Sequence, residues 1–314
     1  MKKYIPVILL FVCSMLSAQQ KYQSLLWKIS GNNLEKDSYL YGTMHVSSKV
    51  AFRLDDVFYK SLEKSEVVAL ESDPTEWLEN SYDMINAGMS YYGAGNFYNK
   101  DFYGALFELP FPQKLAIRNA IRLDNTLVNS YLYRKQSGSD NFEEETYLDM
   151  FIYQAGKKNH KPVVGLEDFN ESRYLVTKAS YNSMKKQQDT WLKKLYKEKP
   201  MYMLTEDAYR DRNLDLLDSI GEATNTEHFR KYMLYQRNEN MVNVLDSLMQ
   251  HKSVFSGVGA AHLPGENGVI EMLRRRGYSV TALTSKRTSL ATTMKNKLES
   301  TIVEPTLKLE ATPD

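Results

Sequence analysis

The chain has 314 residues, of which 42% are hydrophobic and 25% charged. This composition supports a sizeable core in one large domain or two small ones and excludes a chain disordered throughout. A formal charge of +1, with 40 basic against 39 acidic residues, argues against a nucleic-acid binder.

Residues 1–18 read as a signal peptide: Lys2 and Lys3 precede an apolar run from Ile5 to Leu16, and Ser17-Ala18 supplies a small-residue cleavage site before Gln19. The run is short for a bilayer span, so the mature chain is expected to be periplasmic or secreted, without a transmembrane segment. Lipidation at Cys13 is disfavoured because Val12 stands where a small residue is needed. Cleavage near Ala18 removes the single cysteine, so any metal site must use histidine and carboxylate. Taking Lys2 and Lys3 from the 40 basic residues leaves 38 against 39 acidic ones, a mature chain close to neutral.

Residues 25–29 and 38–41 read as a hairpin across the polar turn Gly31-Asn-Asn33. The second strand runs into Gly42-Thr-Met-His45. Helical spacing at Leu54, Val57, Phe58 and Leu62 and a buried strand Val67–Leu70 complete a β-α-β unit that ends at Glu71. From 74 to about 160 the pattern is helical, with apolar stripes at Leu127, Val128, Tyr131 and Leu132 and at Leu148, Phe151, Ile152 and Ala155. Within it, the Gly- and aromatic-rich stretch at about 90–104 reads as a lid or as an irregular helix connection.

A third buried strand, Pro162–Leu166, ends in the acid pair Glu167-Asp168. Helices are expected over 171–197, 205–220 and 227–250, within a second helical insertion spanning about 168–250. Arg237 falls on the apolar stripe of the last of these helices, where a charge needs a partner: an internal ion pair, or an anchor for Glu71, Glu167 or a substrate carboxylate. The strand Ser253–Gly259 then runs into Gly259-Ala-Ala-His262, with Pro264 at a first helical position and Gly277 closing the helix. Residues 278–283 close the sheet, and 285–314 read as a short helix or loose tail.

In an open α/β sheet, ligands bind outside the carboxyl ends of the strands. His45, Glu71, Glu167 and His262 each follow such an end. Gly42 and Gly259 are expected to take positive φ and to let the backbone come close to a ligand there. Each histidine alone also fits a satisfied core role, and it is the four positions together that point to a site. Imidazole and carboxylate suit a first-row divalent metal with open positions. A metal-free alternative has one histidine as general base oriented by a glutamate. His160, His228 and His251 lie in polar contexts and read as surface residues.

The ordered set Leu26-Trp-Lys-Ile29, Tyr39–Val46, Ala69–Pro74, Val164–Glu167, Arg237–Met241 and Val258–Gly265 resembles the TraB/GumN family, which includes Tiki-like proteases. Ser72 stands where an apolar residue is expected. The resemblance implies an α/β (α+β) fold with a mixed β-sheet core and a large helical insertion, similar to erythromycin-esterase and ChaN-like proteins, over residues 19–284. It also implies a hydrolase site with His45, His262 and Glu71 as metal ligands, Glu167 and Arg237 in support, manganese or cobalt favoured with zinc also admissible, and a peptide or protein substrate. The alternative in another class is a non-catalytic protein that sequesters a peptide or haem in the same cleft.

Overall fold

The computed structural model describes residues 21–44, 51–73, 148–185 and 190–300. The sheet has six strands: β1 (Leu26–Ser30), β2 (Ser38–Thr43), β3 (Val67–Leu70), β4 (Val163–Gly165), β5 (Val254–Gly259) and β6 (Ser279–Leu283). Their order is β4-β3-β5-β2-β1-β6. β4, β3, β5 and β2 are mutually parallel, and β1 runs antiparallel between β2 and β6. The architecture is therefore mixed α/β, as expected, and β6 lies at the edge beside the β1–β2 hairpin.

The parallel strands are apolar runs because helices cover the sheet. Helix α1 (Asp56–Lys64) is capped by Asp55, whose side chain accepts from Phe58 N at 3.1 Å. Its Phe58 ring meets Tyr41 and Phe255 edge-on at 4.8 and 5.3 Å, fastening the helix to β2 and β5. Helix α2 (Leu148–Lys158) buries Phe151 and Ile152. Gly156 there approaches β3 and β4 so closely that a Cβ would lie 2.9 Å from Val163 Cγ2 and 3.0 Å from Val68 Cγ2.

The helical region departs from expectation in its breaks. In place of one helix over 171–197 stand α3 (Phe169–Ser180) and α4 (Thr190–Glu198). In place of 205–220 stand α5 (Met201–Arg210) and α6 (Leu214–Thr224). The second break falls where Arg212 turns left-handed (φ 58°) and Asn213 caps α6 by accepting from Leu216 N at 3.0 Å. Residues 227–249 form α7 (Glu227–Arg230), a π-helical turn (Lys231–Tyr235) and α8 (Gln236–Met249).

After β5 the chain makes a 3₁₀ turn, Ala260–His262, and reaches α9 (Val269–Arg275) only past Gly268. Pro264 is thus in the connecting loop and not at the first helical position. Gly277 closes α9 with φ 91°, as expected. Residues 289–300 form a regular helix, α10, with Ala291 and Leu298 in the main core. It is joined to α1 by Thr288, whose backbone N and hydroxyl both donate to Asp56. Among the described residues no helix is long and apolar enough to cross a membrane.

Candidate active site

The carboxyl ends of β3, β4 and β5 bring Glu71, Glu167 and His262 to one edge, where Arg237 of α8 meets the two glutamates. Beyond the strands proper, the ladder continues: Leu166 N donates to Leu70 O at 2.8 Å and Glu167 N to Glu71 O at 2.9 Å. This pairing sets the two glutamates side by side. Gly165 permits it, because a Cβ there would stand 2.9 Å from Asp73 N.

Arg237 on α8 ties the carboxylates together. Its Nε donates to Glu167 Oε1 at 2.9 Å, and its Nη2 to Glu167 Oε2 at 2.6 Å and to Glu71 Oε2 at 2.8 Å. Its Nη1 donates to the Met233 carbonyl, in the π turn, at 3.3 Å. A π turn re-aims the residues after it, and such turns recur at functional sites. The side chains of Arg237, Glu167 and Glu71 are 6%, 1% and 10% exposed, so all three charges are desolvated. Both partners foreseen for this arginine are therefore engaged at once. Burial pushes the Glu167 carboxyl up; the Arg237 guanidinium opposes the shift, and the neighbouring Glu71 adds to it.

Glu71 Oε1 accepts from Gly259 N at 2.5 Å and lies 3.8 Å from His262 Nε2. The other ring nitrogen, His262 Nδ1, is 2.6 Å from Asn238 Oδ1, while Asn238 Nδ2 donates to Asn267 O at 2.7 Å. The amide is thereby oriented with its oxygen toward the ring, which places a proton on Nδ1 and, in the neutral ring, the lone pair on Nε2. Arg237 Nη1 lies 3.4 Å from that Nε2, consistent with an accepting nitrogen.

The glycines act differently from expectation. Gly259 has φ −50°, and Gly42 is not among the positive-φ glycines. What Gly42 supplies is room: a Cβ would lie 3.2 Å from Leu263 Cδ2 and 3.3 Å from Ala260 Cα, so a side chain there would crowd the turn that carries the second Gly-x-x-His segment. Asp168 does not join Glu167; it caps α3 by accepting from Glu171 N at 2.8 Å. His160 and His251 are exposed, whereas His228 is half-buried, its Nε2 2.9 Å from Lys178 O. His45 and the stretch at 90–104 lie outside the described residues.

Three contributors escaped the sequence reading. Asn238, on the helix that carries Arg237, orients the His262 ring through Nδ1. Tyr209 donates to Gly42 O at 2.9 Å, and Thr43 Oγ1 donates to Asp149 Oδ1 at 2.7 Å. Neither partnership has a local signature.

The sequence matches the TraB/PrgY/gumN family over residues 25–282. The chain belongs to that family. It is also 45% identical over 66 residues to the zebrafish (Danio rerio) protein Metalloprotease TIKI1, a stretch covering 20% of this chain and 13% of that one. Metalloprotease TIKI2 of Xenopus tropicalis is 41% identical over 56 residues, 17% of this chain and 11% of the relative. The matches thus span little more than a tenth of those relatives' lengths. No solved structure matches.

Among the described residues no group of three His, Cys, Asp or Glu side chains is placed to hold a metal ion. Two donors do fit one chemically: the Nε2 of a neutral His262, its tautomer held by Asn238, and the Glu71 carboxylate beside it.

Proposed function

We propose that this family member is an exported metal-dependent hydrolase, with peptides or proteins as its substrate class. The observation that carries the proposal is the pairing of His262 Nε2 with Glu71 at the strand ends, each held in place by a partner of its own, Asn238 and Arg237 respectively. His262 and Glu71 would hold the metal together with His45, and manganese, cobalt or zinc all suit this donor set. When bound, the ion lowers the pKa of its water and polarises the scissile carbonyl.

The chain's own residues do the positioning. Arg237 and Gly259 N fix the two oxygens of Glu71, and Asn238 keeps the His262 ring turned with Nε2 toward Glu71 and Arg237. Glu167 balances the guanidinium, so that Arg237 brings orientation to Glu71 without leaving an uncompensated positive charge. Export, with cleavage near Ala18, is part of the same proposal. The names of the Tiki relatives support the hydrolase class.

The test is elemental analysis of the purified protein combined with a peptide-library cleavage assay with and without Mn²⁺. Metal-dependent cleavage that disappears in His262→Ala supports the proposal. A Soret band with no turnover would instead establish the haem-sequestering alternative.

A further inference from the structure

On the β1 side of β2, next to the first Gly-x-x-His segment, lies a cavity of about 230 Å³ whose lining includes Tyr41, Arg53, Asp55, Tyr209, Arg210 and Arg212. Pockets that enclose a whole small ligand run to about 300–1,000 Å³. This one suits a single side chain or chain terminus.

Its charge is unbalanced. Three arginines line it with one carboxylate, and that carboxylate is already committed. Asp55 Oδ1 accepts from Phe58 N, and Oδ2 accepts from Ser285 N and Arg212 Nη2, each at 3.1 Å. Arg210 shares Asp207 with Lys199, so one carboxylate there serves two cations. Arg53 is exposed and makes no hydrogen bond among the described residues. Positive groups in a concavity with low-dielectric walls concentrate anions.

The backbone adds an independent sign. Arg212 occupies the left-handed position that ends α5, with its own N donating to Tyr209 O at 2.9 Å and Asn213 N donating to Ala208 O at 2.8 Å. Glycine takes that conformation freely and an L-residue at a cost. A basic residue such as Arg210 is ordinary in a last helical turn, where it meets the helix dipole. Arg212 stands two residues further on, and its side chain brings a guanidinium to Asp55 at the cavity wall. The wall also reaches the first motif, because the Tyr209 hydroxyl holds Gly42 O at 2.9 Å.

We propose that this cavity is a substrate subsite for a carboxylate, so that the chain prefers peptides carrying an acidic side chain or a free C-terminus at the matching position. The proposal rests on the peptide-hydrolase function above. A carboxylate is the favoured anion because it is planar and takes the guanidinium fork two bonds at a time.

The test uses hexapeptides in matched pairs, Glu against Gln at each position in turn and free C-terminal acid against amide, competing with a fluorescein-labelled acidic peptide for the purified protein. Acidic members of one pair series should bind at least about tenfold more tightly at low ionic strength, and the series that does so identifies side chain or terminus. The preference should weaken as salt is added. It should shrink several-fold in Arg53→Ala, which loses no hydrogen bond among the described residues, and in Arg212→Lys, which keeps the charge but loses the fork. Equal affinity within every pair, or a preference that survives both Arg53→Ala and Arg53→Glu, overturns the subsite. Cleavage without charge preference removes the subsite and leaves the hydrolase standing; preference that depends on Arg53 without cleavage in any metal does the reverse.

Discussion

Replacing Arg237 with methionine removes a cation from between two buried carboxylates. The guanidinium gives Glu167 contacts at 2.9 and 2.6 Å and Glu71 one at 2.8 Å, and neither acid is solvated well enough to replace them with water. Breaking a buried pair from one side costs about 3–5 kcal/mol, because the remaining charge stays buried without compensation. Single-domain stabilities are about 5–15 kcal/mol, so the variant should fold with a much reduced urea midpoint. Adding Glu167→Gln should restore part of the loss, because it leaves one carboxylate to be accommodated in place of two. Arg237→Lys keeps the charge but cannot reach both acids with one planar group, and should cut turnover at least about tenfold with a smaller stability loss. A fall of less than about 1 kcal/mol for Arg237→Met, or no rescue by Glu167→Gln, would refute the view that this arginine compensates both acids.

Gly42→Ala should destabilise by about 1–3 kcal/mol by driving a methyl against Leu263 and Ala260; a neutral result in urea unfolding would show that the turn after β5 is not packed against Gly42 as described. Asn238→Leu should weaken Mn²⁺ activation about 10–100-fold by releasing the His262 tautomer, and an unchanged Mn²⁺ titration would remove Asn238 from the site. Glu271 is pushed up by burial but held below the ordinary glutamate value by hydrogen bonds from Lys21, Arg274 and Tyr22. Its contribution to stability is therefore present above the unfolded value of about 4.3 and lost as pH falls through the folded one. Melting curves taken from neutral pH to about pH 3 should fall less steeply for Glu271→Gln than for the wild type; parallel curves would count against the linkage.

The strands and the convergence of Glu71, Glu167, His262 and Arg237 were legible because each signal is local. A buried parallel strand is an unbroken apolar run, the residue after it lands at the ligand-binding edge, and an arginine on an apolar helix face must find an acid. The breaks were less legible. Nothing in Asp211-Arg212 announces a helix end as glycine or proline would, and only the cap residue Asn213 signals the restart. Helix α10 was readable from Ala291, Met294 and Leu298, spaced for one face, but its short stripe lies in a polar segment. The role of Gly42 was legible only in part: sequence shows that a side chain is missing, and only packing shows that the close approach comes from Leu263 and Ala260 and needs no positive φ. The Asn238 partnership depends on α8 meeting the turn after β5, a long-range contact that no spacing encodes.

The most direct test of the hydrolytic site is peptide-library cleavage by the wild type and His262→Ala, each titrated with Mn²⁺. The site described here predicts cleavage that rises with Mn²⁺ in the wild type and is absent from a folded His262→Ala protein. Cleavage by His262→Ala at the wild-type rate, or no cleavage by the wild type with Mn²⁺, Co²⁺ or Zn²⁺, would contradict it.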